Sequence, residues 1–199
     1  MSSPVVNARE AQRLQTRARL FDAAVAEIGQ SGLAGADVAA IAAATGVSRG
    51  TFYFHFPTKE HVLVELERAE EAKIVARLVT KANKARDLTT LLGLLVRQVL
   101  AAEERLGPVV FRDMLALHFS ATRPVVDETA DHPLAEFVIS AIKEAQDERR
   151  VPRNADAEEL GVIFMTGLFA LLATSGASKS RAKLLDRYVK TVVKGMETP

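Results

Sequence analysis

The sequence predicts an all-α fold of about nine helices, a short three-helix head followed by a longer helical body. Three observations predict it. Apolar residues recur at spacings of three and four along most of the 199-residue chain, and no stretch carries the period-two alternation of a half-buried strand. Helix-start residues sit ahead of those runs, as at Asp37, Ser48, Asp87 and Asp156. Gly46, Pro57 and Gly107-Pro108 interrupt them.

Taken in order, the first helix carries Leu14, Ala18, Phe21, Val25 and Ile28 as its apolar stripe, after which Gly29 and Gly32 loosen the chain. Asp37 caps a second helix with Val38 and Ile41 turned inward. Ala42 is small enough for a steep helix crossing. Gly46 ends that helix in the left-handed conformation that any other residue adopts only with strain. Ser48 caps a brief third helix whose apolar side is Phe52 and Phe56, leaving Arg49, Thr51, Tyr53 and His55 to point elsewhere. Pro57 stops it, and Thr58 and Glu60 open the fourth.

Two short helices around a tight glycine turn, the second with polar residues at its start, have the geometry of a major-groove reader. A first helix entered by Arg9, Arg13, Arg17 and Arg19, opposed only by Glu10, adds a basic arm of the kind that tracks phosphates, with a solvated helix face as the other reading of Arg9 and Arg13. Arg49 is the expected base reader, because a guanidinium can bond a guanine edge through two parallel hydrogen bonds.

Residues 16–63 resemble the DNA-binding domain of the TetR family of bacterial transcriptional regulators. The resemblance is carried by Arg17, Ala23 and Ala24 in the first helix and by Ile41 and Ala42 in the second. Gly46, Val47 and Ser48 in the turn continue it, followed by Tyr53, His55 and Phe56 in the third helix and Lys59 and Glu60 at the start of the fourth. It implies DNA contacts from Arg17, Ser48, Arg49, Gly50, Thr51, Tyr53, His55 and Lys59, with Tyr53 and Lys59 on phosphates. Asp37 departs from the Thr or Ser common in the family, and a carboxylate repels phosphate. The second helix otherwise offers Ala39, Ala40, Ala43 and Ala44, so backbone contacts there are expected to be few.

The fourth helix is expected to run from 59 into the low 80s, with Val62, Leu66, Ala69, Ile74 and Leu78 turned inward. Asp87 opens a fifth bearing Leu91, Leu95, Val99 and Ala102. Gly107-Pro108 opens a sixth with Val110, Phe111, Met114, Leu115 and His118. Residues 120–131 read as connection. A seventh helix carries Leu134, Phe137, Val138, Ala141, Ile142 and Ala145 and ends at Glu148, Arg149 and Arg150. Asp156 opens an eighth helix in which Leu160, Ile163, Phe164, Leu168, Leu171 and Leu172 leave little polar face, so burial on nearly every side is expected. Gly161, Gly167 and Ala170 permit close helix approach there. The last helix carries Leu185, Tyr188, Val189, Val192, Val193 and Met196.

The domains are therefore expected at 1–57, with 1–8 a flexible arm, and at 58–199. By the resemblance, the last two helices of two subunits form a four-helix dimer interface. A twofold dimer sets two reading helices one DNA turn apart. A pocket in the body is expected to be walled by Phe111, Met114, Leu115, Phe119, Phe137, Phe164 and Phe169, with His118, Arg112 or Thr166 supplying a polar group.

Composition limits the alternatives. The chain is 48% hydrophobic and 26% charged with a net charge of +1, so any DNA-binding surface must be local. It has no Cys, and its four His residues show no metal-ligand spacing. No phosphate loop or GxSxG elbow is present, and Arg112, Asp113 and His118 read as an ion pair beside a partly buried His rather than a catalytic trio. No catalytic residue, metal or cofactor is expected. Met1 is followed by no signal peptide, and the apolar run from Gly161 to Ala173 reads as too short to span a membrane, which points to a cytoplasmic, nucleoid-associated protein.

The leading expectation is a homodimeric repressor bound to a palindromic operator and released by a small apolar or amphipathic ligand. Its rivals are a DNA-binding dimer without an inducer, and a helical carrier or enzyme for apolar ligands with a vestigial helix-turn-helix.

Overall fold

The computed structural model describes residues 8–82, 87–124, 132–176 and 178–197. Among them the chain forms nine helices and no strand: α1 (Ala8–Gly35), α2 (Val38–Thr45), α3 (Arg49–His55), α4 (Lys59–Ala82), α5 (Leu88–Leu106), α6 (Pro108–His118), α7 (Pro133–Asp147), α8 (Ala157–Thr174) and α9 (Lys179–Met196). The expected arm, apart from Ala8, and the part of the expected connection over 125–131 lie outside the described residues.

The helices pack as two units. One holds the residues as far as Leu66 together with Leu106–Pro124; the other holds Glu67–Arg105 with the described residues after Pro124. α4 is one continuous helix that contributes its start to the first unit and the rest to the second. α6, read from sequence as part of the body, packs against α1.

In the first unit Leu20, Ala24, Ile28, Val38, Ile41, Phe52, Phe56, Val62, Leu63, Val110 and Leu117 form one core. This corrects the start of the stripe expected on α1: Leu14 is 51% exposed and Ala18 is also in solvent, whereas Phe21 and Val25 pack against the core and Ile28 lies within it, joined by Leu20 and Ala24. Leu20 and Ala24 widen the buried face because the core must cover both α2–α3 and α6. α1 also runs further than expected, through Gly29 to Gly35, with its break at Gly32 (φ 71°, ψ 164°). There Asp113 of α6 accepts the Leu33 N–H at 2.6 Å, supplying a partner for a backbone group that the kink releases. Asp113 is thus a cap for α1, with Arg112 3.8 Å away.

The second unit is organised by buried charge as well as apolar contact. Glu67, Glu70 and Glu71 of α4 are all buried. Burial alone would push the Glu70 carboxyl up, yet Lys73 at 2.7 Å and Arg105 at 2.8 Å hold it below the usual carboxylate range. Glu71 accepts the Leu134 N–H at 3.2 Å, satisfying a donor at the start of α7. Arg181 of α9, buried, is clasped by Glu103 of α5 and also donates to the Ser175 carbonyl at 3.2 Å. On α5 the buried face is Leu88, Leu92, Leu95, Val96, Val99 and Ala102, with Leu91 only half-buried.

The expected caps at Asp87 and Asp156 form: Asp87 accepts the Thr90 N–H at 2.7 Å, and Asp156 the Glu158 N–H at 2.8 Å. α7 ends with Arg149 in the left-handed region (φ 62°) and the Arg150 N–H bonded to the Ala145 carbonyl at 2.9 Å.

Burial of α8 on nearly every side is not what this chain achieves alone. Phe164, Met165, Leu168, Phe169 and Leu172 are buried, but Val162 and Ile163 are 58% and 52% exposed. The apolar helix spans the 18 residues Ala157–Thr174, longer than the expected run from Gly161 to Ala173, and is long and apolar enough to cross a membrane by length and composition alone. Its close approaches are real at two of the three expected positions. An added Cβ would lie 2.6 Å from Ile139 Cγ1 at Gly161, and 2.8 Å from the Tyr188 ring carbon Cζ at Gly167. Ala170 is exposed. Tyr188 stacks on Phe164 with centroids 5.6 Å apart and donates its hydroxyl to the Phe164 carbonyl at 2.7 Å. Burial pushes the phenol up to about 12, so it remains a donor at neutral pH.

Gly167→Ala is therefore expected to destabilise the fold by about 1–3 kcal/mol through overpacking against Tyr188. Combining it with Tyr188→Phe, which removes the colliding hydroxyl, should recover part of the loss. Thermal unfolding of the two variants measures both; a stable single variant would show that α8 and α9 are not in close contact.

Candidate nucleic-acid interface

The reading surface is assembled from three short-range devices. Asp37 accepts the Ala39 N–H at 2.8 Å and starts α2. Gly46 ends it with φ 70° and ψ 30°, while the Val47 N–H bonds the Ala42 carbonyl at 3.0 Å. No atom lies within 4 Å of where a Cβ would stand on Gly46, so the requirement is conformational rather than steric. Ser48 then accepts the Thr51 N–H at 3.1 Å and starts α3.

Core burial orients the result. Phe52 and Phe56 are buried, with ring centroids 5.8 Å apart, and Ala42 is buried where α2 meets its neighbours. Arg49, Gly50, Tyr53 and Phe54 are exposed, and Thr51 and His55 are half-exposed. Ser48, Arg49, Gly50, Thr51, Tyr53 and His55, six of the expected DNA contacts, therefore lie together on the turn and α3. Arg49 is solvent-exposed and engaged by no described residue. Ser48 and Thr51 share a hydroxyl hydrogen bond of 3.0 Å. Burial, with Arg13 and Arg17 nearby, lowers the His55 pKa from the ordinary imidazole value, favouring the neutral ring at neutral pH.

The two remaining expected contacts, both half-exposed, are engaged by groups of the protein itself. Arg17 donates to both carboxylate oxygens of Glu65, one at 2.7 Å, and its guanidinium lies 4.6 Å from the centroid of the Phe56 ring. Lys59 donates its ammonium to the Ala36 carbonyl at 2.8 Å and to that of Ala34 at 3.3 Å. Arg13 pairs with Glu10 at 2.6 Å, so two of the four arm cations, Arg13 and Arg17, are already neutralised. Sequence reasoning missed these partners because Glu65 and the Ala36 carbonyl are 48 and 23 residues away. It also passed over Phe54, 73% exposed on the reading helix.

The expected ligand residues are divided. Phe111, Met114 and Leu115 are buried and His118 half-buried on α6, in the first unit. Phe137 and Phe164 belong to the second, half-buried and buried. Thr166 is exposed on α8, one turn from Val162 and Ile163. A cleft of about 440 Å³ in the first unit is lined by Gly32, Leu33, Arg112 and Asp113 among others. One of about 270 Å³ in the second unit is lined by Gly93, Val96 and Arg97 of α5 and Leu185 and Val189 of α9. Of the expected ligand residues only Arg112 lines either cleft. Among the described residues no three His, Asp or Glu side chains gather as a metal set.

Residues 20–66 match the family model of bacterial regulatory proteins, tetR family. No curated protein matches the chain. Among solved structures, FadR of Thermus thermophilus, a TetR-family transcriptional repressor determined in complex with lauroyl-CoA, superposes with a TM-score of 0.77 at 22% identity, over 92% of this chain and 96% of that one. A TetR-family transcriptional regulator from Pectobacterium atrosepticum gives 0.70 at 18% identity, over 95% and 97%. The ketosteroid transcriptional regulator of Mycobacterium tuberculosis gives 0.57 at 19% identity, over the whole of both chains. These likenesses extend the shared fold well beyond the matched 47 residues.

Arg49→Ala should leave the melting temperature unchanged, weaken binding to a preferred duplex by about 1–3 kcal/mol and relax preference at one base position. Arg17→Ala should do the opposite. Losing the Glu65 pair and the Phe56 stack should cost about 1–2 kcal/mol of stability while leaving base preference intact. Selection from a random duplex pool alongside thermal unfolding separates the two, and an altered base preference for the Arg17 variant would return that residue to the reading surface.

Proposed function

We propose that this chain, which belongs to the tetR family of bacterial regulatory proteins through residues 20–66, is a cytoplasmic, homodimeric transcriptional repressor that binds a palindromic operator and is released by a small apolar or amphipathic molecule. The observation that carries the reading is the exposed polar edge of α3, from Ser48 to His55, held outward by burial of Phe52 on its opposite side. Tyr53 is assigned to a phosphate and Arg49 to a base edge. Lys59 is assigned to a phosphate through whatever donor capacity its two carbonyl bonds leave. Arg17 acts by positioning, since its guanidinium is spent on Glu65 and Phe56.

Dimerisation is proposed through α8 and α9. Val162 and Ile163 of α8 and Leu184 of α9 are large apolar side chains left in solvent by a single subunit, and Thr166, Ala170 and Ala173 extend the exposed face of α8. A second copy, by twofold symmetry, can cover the same patch with itself. The ligand class follows the fold likeness to a repressor bound to lauroyl-CoA and to a ketosteroid regulator. Reciprocal linkage then requires DNA to weaken ligand binding by the factor with which ligand weakens DNA binding.

Val162→Glu and Ile163→Glu should leave each subunit folded, because both positions are exposed, yet convert dimer to monomer. Operator affinity should fall with every DNA-contacting residue intact. Light scattering of the unaltered protein at micromolar concentration tests the premise, and a monomer would remove the dimer from this reading.

Acyl-CoA thioesters, steroids and other hydrophobic compounds should be screened for release of a selected duplex. A cognate compound should weaken DNA binding about 5–150-fold. Failure of the whole panel, with DNA binding intact, would favour the inducer-free regulator.

A further inference from the structure

α3 turns about 100° per residue, so Phe54 stands about 200° from the buried Phe52, on the side of the helix that points away from the core. Gly50, one turn earlier, shares that outward stripe. Neither residue serves the free fold. Phe54 leaves 73% of its surface in water, and its ring makes a T-shaped contact with His55, with centroids 5.1 Å apart. Gly50 has no positive φ, and a Cβ there would meet nothing closer than Ser48 Oγ at an ordinary 3.6 Å. Alanine would fit and favour the helix. Two residues on one stripe thus break local rules without a compensating contact inside the protein, which is the pattern of a surface shaped for a partner. The missing side chain lets the backbone come close, and the aromatic ring reaches past it. In a major groove the apolar group within reach of such a ring is the C5-methyl of thymine.

We infer that Phe54 is a specificity-determining residue for DNA, its ring packing on a thymine C5-methyl group while Gly50 leaves room for the approach. The inference rests on the DNA-binding function proposed above and adds a second base-reading group to Arg49.

The test uses the full chain and a duplex selected by it from a random pool, with each thymine replaced singly by deoxyuridine, which lacks only that methyl. One position in each half-site should weaken binding about fourfold, the equivalent of about 0.8 kcal/mol for one buried carbon group. Phe54→Ala should keep the melting temperature, bind the all-thymine duplex more weakly and lose its sensitivity to deoxyuridine at that position. Its own selected motif should lose the thymine there. A selected duplex with no Phe54-dependent deoxyuridine effect overturns this inference and leaves DNA binding standing. So does a Phe54 variant that binds DNA normally but changes its association state, which would assign the ring to a protein contact. If the unaltered chain selects no duplex, the DNA-binding reading falls, and this inference with it.

Discussion

A seven-residue helix cannot hold itself together in water, and everything the first unit presents to a partner depends on how α3 is pinned. Burial of Phe52 and Phe56 does the pinning. The two rings lie in a core supplied by α1, α2, the start of α4 and α6, so four elements fix the direction of one short helix. Arg17 closes the arrangement from outside, its guanidinium lying against Phe56 while Glu65 holds it in place. Lys59 adds a second strap by donating to the carbonyls at the end of α1. The side chains of Arg17 and Lys59 are therefore both tied to the frame that holds α3. Losing one is expected to cost stability rather than a base contact.

The second unit meets a different constraint. Three glutamates of α4 are buried, and an isolated buried carboxylate is too costly to retain its charge. Glu70 solves this with Lys73 and Arg105, and Glu71 takes a backbone N–H at the start of α7. Arg181 meets the same requirement on α9 through Glu103 and the Ser175 carbonyl. These pairings set which helices lie side by side, since a mismatched neighbour would leave a charge without a partner. α8 shows the reverse economy: its buried half closes the unit, and its other half leaves Val162 and Ile163 in water. Gly161 and Gly167 bring α7 and α9 close on the buried side.

The helices and the reading head were legible because their signals are local. Asp37, Gly46 and Ser48 act on backbone groups within a few residues, and each makes the hydrogen bond or adopts the dihedral expected of it. Phe52 and Phe56 are set four apart and both go inside. The first turns of the α1 stripe lie in solvent for an instructive reason. Leu14 and Ala18 satisfy helical spacing with Phe21 as well as Leu20 and Ala24 do with Ile28, and periodicity alone cannot say where along the helix the core ends. The choice fell to α6, which packs on α1 and brings Val110 and Leu117 into the same core.

By itself, the sequence determined the helical class, the two caps and the glycine turn of the head, and the set of side chains α3 leaves outside. All follow from interactions closed within one or two turns of chain. Only the tertiary structure decided what the charged residues do. Arg17 meets Glu65 48 residues away, Leu33 meets Asp113 at 80, Glu71 meets Leu134 at 63 and Arg181 meets Glu103 at 78. A polar side chain carries no periodic signal of its partner, because its energy depends on which distant helix arrives beside it and whether that site is dry. The same holds for the exposed half of α8: composition marks it as apolar, but only packing reveals which half one subunit leaves uncovered.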